Sequence, residues 1–362
     1  MSNRTALAQL VTCLRGELPV APNWVAILSL ANRALVTPQI YIAMTRSDMI
    51  GQLPEEVREF LLTIWMRNRE RNRRLSVQLG EALRALNSVG IEPVLLKGVG
   101  VWGSFGFEAP FDRILSDIDL LVKPAEAEIA VDALEKAGSQ CLARYPKEMH
   151  VVAEFGRSTD VGSIDLHWRP SGPLGVAEVP DLSLQCAPVS WQGGNAQLPA
   201  PALQIFFLVL HDQFHDGGYW RGGIDLRHLL DIRDLSKDHS IDWSQLMALC
   251  QTRLVCNAVE SQLIAAKRLV QACVPQHLTQ RLWTRAQFRR HLWQFAHPRF
   301  CMPLALVAIV AECPNLIAYL SLNERRRQKL FRTFGTGDTL LGRLSRHGKR
   351  LKEILLPRVG KL

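Results

Sequence analysis

Residues 94–122 read VLLKGVGVWGSFGFEAPFDRILSDIDLLV, and this stretch decides the fold. Two apolar runs bracket it. Val94-Leu95-Leu96 ends in Lys97-Gly98, while Ile118-Asp119-Leu120-Leu121-Val122 reads as a buried strand that nevertheless carries a carboxylate. Successive strand side chains point to opposite faces, so Asp117 and Asp119 share one face and Ile118 and Leu120 take the other. Two neighbouring carboxylates repel each other, and the usual compensation is a divalent cation with oxygen ligands, Mg²⁺ or Mn²⁺ in its place. The plainer alternative is an Asp-x-Asp in a turn or a helix cap, with no metal.

A second segment, Ser163-Ile164-Asp165-Leu166-His167-Trp168-Arg169, also alternates. It sets Asp165, His167 and Arg169 on one face and Ile164, Leu166 and Trp168 on the other. A third carboxylate therefore stands on a second predicted strand.

These residues resemble the uncharacterised nucleotidyltransferase family of the polymerase-β-type nucleotidyltransferase superfamily. The resemblance rests on Leu96-Lys97-Gly98, on Arg113 followed by Ser116-Asp117-Ile118-Asp119-Leu120-Leu121-Val122, and on Ile164-Asp165-Leu166-His167-Trp168. Flanking segments extend it over most of residues 20–275: Trp24 with Leu28 and Ala31, Leu198-Pro199-Ala200-Pro201 leading to Leu210-His211, and Asp242-Trp243.

The resemblance implies an α+β fold, a small mixed-sheet nucleotidyltransferase core flanked by N-terminal and C-terminal helical regions. It also implies that Asp117, Asp119 and Asp165 converge as catalytic metal ligands. Asp117 and Asp119 would hold Mg²⁺ on the triphosphate and Asp165 would help activate the attacking hydroxyl, in the manner of a two-metal clamp. Lys97, Gly98, Arg113 and Ser116 are the corresponding nucleotide-binding candidates. Lys97 and Arg113 would pair with phosphate oxygens, the alternative for Arg113 being to fix the loop before Asp117. Two glycine turns compete for the phosphates. Lys97-Gly98 follows a strand directly and is favoured, since its backbone amides could approach an anion. Gly103-Ser104 fits the superfamily's looser spacing, or else lies within the helix or the loop after it.

The expected activity is transfer of a nucleoside monophosphate from an NTP to a hydroxyl acceptor, with release of pyrophosphate. The acceptor is open among a small molecule, a peptide and RNA. A non-catalytic nucleotide-binding or scaffold protein, and a toxin-type transferase acting on tRNA, are the competing readings.

Of 362 residues, 48% are hydrophobic and 21% charged, an ordinary globular composition. The first eighteen residues lack a continuous apolar run and a small-residue cleavage site, so a cytoplasmic protein is expected. Eight scattered cysteines without a Cys-x-x-Cys suit free thiols and no disulfides.

Residues 1–90 read as a helical region, with helices over Arg4 to Leu18, over Trp24 to Met44, and from Pro54 to about Leu86. Arg67, Arg69, Arg71, Arg73 and Arg74 in the last suit a solvated face, from which one or two arginines could reach a site if the helix backs it. Residues 91–170 form the core. The prolines and glycines of 171–201 read as a loop-rich connection.

Helices return over 202–322. His211 and His215 stand four apart without a following Glu, which suits a packed or capping pair better than a metal site. Cys301 to Leu322 is apolar apart from Glu312, Asn315 and small polar groups, and is interrupted by Pro303 and Pro314. It reads as a buried helical hairpin, with a membrane-dipping segment as the alternative. The basic tail, 323–362, holds twelve Lys or Arg against Glu324, Asp338 and Glu353, which accounts for the whole chain's net charge of +9. Such a segment can attract RNA, anionic lipid or an acidic protein, so peripheral membrane association is an accompanying expectation.

Overall fold

The computed structural model describes residues 2–322 except 108–110, 147–148, 173, 178, 180–181 and 239. The basic tail thus lies outside the described residues. In chain order the elements are α1 (Asn3–Leu14), α2 (Trp24–Arg33), α3 (Thr37–Arg46), α4 (Glu55–Asn87), β1 (Val94–Leu95), α5 (Lys97–Ser104), β2 (Asp117–Leu121) and α6 (Ala127–Lys136). There follow β3 (Gln140–Arg144), β4 (Val151–Gly156), β5 (Ser163–His167), α7 (Leu174–Ala177), β6 (Cys186–Trp191) and β7 (Gly194–Pro199). The remainder is helical: α8 (Pro201–Leu210), a π-helical turn (His211–His215), α9 (Gly218–Arg221), α10 (Leu226–Asp238), α11 (Trp243–Ala248), α12 (Arg253–Val270), α13 (Leu282–Ala296), α14 (Cys301–Ala311) and α15 (Cys313–Leu322).

One seven-stranded mixed sheet, in the order β3-β4-β5-β2-β1-β7-β6, holds the core. Its centre follows from the alternation of β2 and β5, which run parallel with Ile118 beside Ile164 and Leu120 beside Leu166. These apolar side chains share a core with Leu75, Leu79, Leu83 and Leu86 of α4 and with Ala130, Val131 and Leu134 of α6. Burying that face forces the intervening Asp119 and Asp165 onto the other.

Residues 171–201 depart from the loop-rich expectation by adding β6 and β7 to the sheet, β7 parallel to β1. Gln192 and Gly193 both have positive φ, +47° and +79°, the geometry of a two-residue hairpin turn. Gly194 starts β7 where an added Cβ would lie 2.4 Å from Cβ of Leu83, so α4 packs directly on the hairpin. Pro188 is tolerated because β6 is the sheet edge.

The two helical regions form one body. α1, α2 and α3 share a core with α8, α10 and α12, joined by Leu96, Val101 and Leu121 of the sheet layer. Across this body Arg15 donates to the carbonyl of Leu269 at 2.9 Å. The expected helix from Trp24 to Met44 is two helices, broken where Leu35 takes φ +55°. Helix α4, 33 residues and about 50 Å long, belongs to both cores. Val57 and Leu61 near its start join the helical body, while Leu75 to Leu86 back the sheet. The hairpin expected at Cys301 to Leu322 is a helix pair bent by 76° between Ala311 and Cys313, and its outer side is exposed rather than buried.

Candidate active site

Strands β2 and β5 bring Asp119 directly beside Asp165. Asp117 stands one pleat earlier on the same face, opposite Ser163. Carboxylate oxygens of Asp119 and Asp165 and a ring nitrogen of His167 all lie within 4.8 Å of one another.

Asp119 is almost fully buried, and its Oδ1 accepts two partners. Lys97 Nζ lies 2.6 Å away and His167 Nε2 2.9 Å away. Burial opposes ionisation, yet the Lys97 ammonium and His167 outweigh it and hold the carboxyl well below the usual range. Lys97 is raised in turn. Burial alone would pull it down, but Asp119 and Asp117 more than compensate. His167, with no exposed surface, is pushed down by burial and is therefore neutral, so Nε2–H donates to Asp119 while Nδ1 has no hydrogen-bond partner. The imidazole fixes which way the carboxylate faces.

Asp165 behaves differently. Burial, then the charges of Asp119 and Asp117, push it up to about 7. Two carboxylates, of Asp119 and Asp165, converge with the His167 imidazole at a spot whose excess negative charge a divalent cation would relieve, while Asp117, one pleat earlier, is not part of that group.

Lys97 reaches this spot through an uncommon backbone. Directly after Leu96 it takes φ +48°, a left-handed conformation that costs a non-glycine residue roughly 1 kcal/mol and clusters at functional sites. Gly98 is closely packed, since an added Cβ would lie 2.4 Å from Leu115 Cδ2 and 2.5 Å from Arg113 Nη1 and would displace those side-chain ends. The following α5 has no side-chain cap at its N-terminus. Gly103 and Ser104 lie inside α5, where the Ser104 hydroxyl accepts from Gln204 at 2.8 Å. Of the two competing glycine turns, only Lys97-Gly98 adjoins the carboxylates.

Arg113 is buried, with Nε 2.9 Å from Asp231 Oδ2 on α10. Amides of Asn68 and Asn72 on α4 donate to the Asp112 and Arg113 carbonyls at 3.0 and 2.9 Å. This geometry supports the loop-fixing alternative for Arg113. Ser116 donates its hydroxyl to Asp117 Oδ1 at 2.8 Å.

Three further groups stand near these carboxylates, of which the sequence singled out no role for His150. Arg71 of α4 bonds the carbonyls of Ser116 and Val161 at 3.2 and 2.7 Å, within electrostatic reach of Asp117. Arg227 of α10 pairs with Asp225 at 3.2 Å and also feels Asp117. Burial opposes its charge, but these carboxylates raise it. His150 stacks on His167 with ring centroids 5.3 Å apart and meets His215 edge-on at 4.6 Å. The expected histidine pair, His211 and His215, packs in an imidazole cluster with His150 and His228, and together with Asp216, 3.2 Å from His211 Nδ1, it also brings three ligand atoms within 4.8 Å of one another. The alternation Asp165, His167 did signal His167, and the arginine cluster contained Arg71. Helical spacing signalled Arg227 as an ion-pair partner of Asp225, as found, but not its nearness to Asp117.

The family described as "uncharacterised nucleotidyltransferase" matches residues 21–271. The chain belongs to this nucleotidyltransferase family. The matched span contains every site residue named above and ends at the close of α12, short of α13, α14 and α15. The solution structure of the antibiotic-resistance factor ANT(2'')-Ia is similar over 53% of this chain and 90% of its own, at 11% identity and a TM-score of 0.31. No curated protein matches. All eight cysteines are free thiols.

Proposed function

We propose that this nucleotidyltransferase moves a nucleoside monophosphate from an NTP to a hydroxyl acceptor with the help of Mg²⁺. One observation carries the reading: Asp119 and Asp165 lie side by side with the Lys97 ammonium 2.6 Å from Asp119. Asp119 and Asp165, with Asp117 alongside, would hold the divalent cation, which when bound supplies Lewis-acid stabilisation of the triphosphate charge.

The chain's own groups account for the rest. Lys97, with Arg71 and Arg227 flanking Asp117, provides the positive charge that phosphoryl chemistry demands of a protein. The uncapped first turn of α5, beginning at Lys97-Gly98, offers amides to phosphate oxygens, and Ser116 steadies Asp117. The acceptor oxygen attacks the α-phosphorus, the bridge to the β-phosphate breaks, and pyrophosphate departs with the electron pair. Asp165, whose proton affinity is raised, is the group suited to take the acceptor's proton. Arg113 acts at a distance, anchoring the 111–116 loop through Asp231.

A cavity of about 730 Å³ opens beyond the C-terminal ends of β2 and β5, lined by Leu121, Lys123, Trp168 and Arg169 among others. Its lining includes none of Lys97, Asp117, Asp119 and Asp165, so the acceptor is not assigned to it. Labelled-NTP transfer tests the reading. Wild-type protein with Mg²⁺ labels an acceptor in cell extract, and Asp119→Asn does not. Equal labelling by both would end it.

A further inference from the structure

Helices α14 and α15 lie outside the family's span, and their polarity is reversed. Between Phe300 and Leu322 the single charged residue is Glu312, and it faces inward. Its carboxylate accepts from Tyr219 Oη, from Asn257 Nδ2 at 2.9 Å, from Trp283 Nε1 at 2.7 Å and from Asn315 Nδ2 at 2.6 Å. Those bonds fix the rotation of the bend. Ala305, Ala308, Leu316 and Tyr319 are thereby turned into the protein, and Met302, Leu306, Val307, Val310 and Ile317 outward, with Val310 75% exposed.

A solvated helix carries polar residues on its outer face. Here that face is an uncharged apolar stripe, the kind that marks an interaction site. The chain supplies a second, independent observation. Immediately after Leu322 come the residues that hold its entire net charge, +9. Apolar side chains with adjoining excess positive charge match the boundary of an anionic bilayer, where acyl chains receive the first and headgroups attract the second. RNA offers nothing to the stripe, and a second copy would bring an equally basic tail against the first. No single helix among the described residues is long and apolar enough to cross a membrane, and although α14 and α15 together have the length and composition of a bent pair that could, their inner faces at Ala305, Ala308, Glu312, Leu316 and Tyr319 are packed into the protein.

We infer that the outer stripe of α14 and α15 lies in the plane of an anionic membrane surface, with the basic residues after Leu322 against the headgroups. The binding is peripheral and independent of the nucleotidyltransferase site.

Co-sedimentation of the full chain with vesicles tests this. Wild type should pellet with phosphatidylcholine vesicles containing phosphatidylglycerol, pellet poorly with phosphatidylcholine alone, and be released by high salt. Val307→Glu/Val310→Glu should lower the partition coefficient by at least about tenfold, with unchanged circular dichroism. Arg325→Gln/Arg326→Gln should lower it by roughly fivefold per charge on the anionic vesicles only. Equal pelleting of wild type and the double glutamate variant would overturn the inference. So would equal affinity for neutral vesicles. A dimer dispersed by Val307→Glu/Val310→Glu, with no vesicle binding by wild type, would assign the stripe to a second copy instead. Tighter vesicle binding by the arginine variant would point to cover by the tail itself and overturn it too.

Discussion

Two buried carboxylates, Asp119 and Glu312, have almost no exposed surface, yet they are satisfied in opposite ways. Glu312 accepts from Tyr219, Asn257, Trp283 and Asn315, donors that carry no formal charge, and the Arg290 guanidinium stands near enough to offset its charge. Asp119 takes a full cation, Lys97, and a neutral imidazole, yet has Asp165 beside it and Asp117 one pleat away. The first arrangement is closed and structural. The second leaves negative charge in excess, as shown by Asp165, which holds its proton up to about 7. A buried acid is therefore not itself a sign of function, and the sign lies in the charge left over after every protein partner is counted.

Substitutions can break this contrast. Asp119→Asn should lower transfer by about 10³-fold or more while the chain stays folded, because the loss falls on the stabilised charge of the reaction, and single-turnover assays with labelled NTP read it directly. Glu312→Ala should do the reverse. It strands several buried donors and should cost roughly 3 kcal/mol in urea unfolding, with activity per folded molecule retained.

Finer changes sharpen it. His167→Leu removes the donor that orients Asp119 and should reduce kcat by about 10- to 100-fold with little change in KM, and His167→Asn should restore part of the loss. The smallest effect concerns pH. Asp165 titrates above its unfolded value, so in metal-free protein its contribution to stability is present below about pH 4 and is lost as pH rises through about 7. Asp165→Asn should match wild type near pH 4 and exceed it above pH 7 by on the order of 1 kcal/mol in denaturant titration. Added Mg²⁺ should close that gap by stabilising wild type alone.

Much of the site was legible because strand alternation is local. Ile118 and Leu120 had to face a core, so Asp117 and Asp119 had to face away, and the same reasoning exposed Asp165 and His167. What escaped reading depends on distant pairing. Asp231 lies 118 residues from Arg113, and Arg227 comes within electrostatic reach of Asp117 only through the tertiary placement of α10. The strands β6 and β7 were obscured by composition, since Pro188, Gly193 and Gly194 signal a turn before they signal the strands on either side of it. The union of the first three helices with α8, α10 and α12 has no local signal at all, only amphipathic faces whose partners topology decides.

Helix α4 ties these regions together mechanically. Its N-terminal third is embedded in the helical body and its C-terminal half in the layer behind the sheet, with no proline after Pro54 to serve as a joint. Swinging the two parts like jaws would mean bending or extracting a continuous rod. Entry and exit of ligands must therefore rely on smaller movements, of side chains such as Lys97 and of the short connections at the rim, while unfolding of either part should drag the other with it in a single cooperative transition.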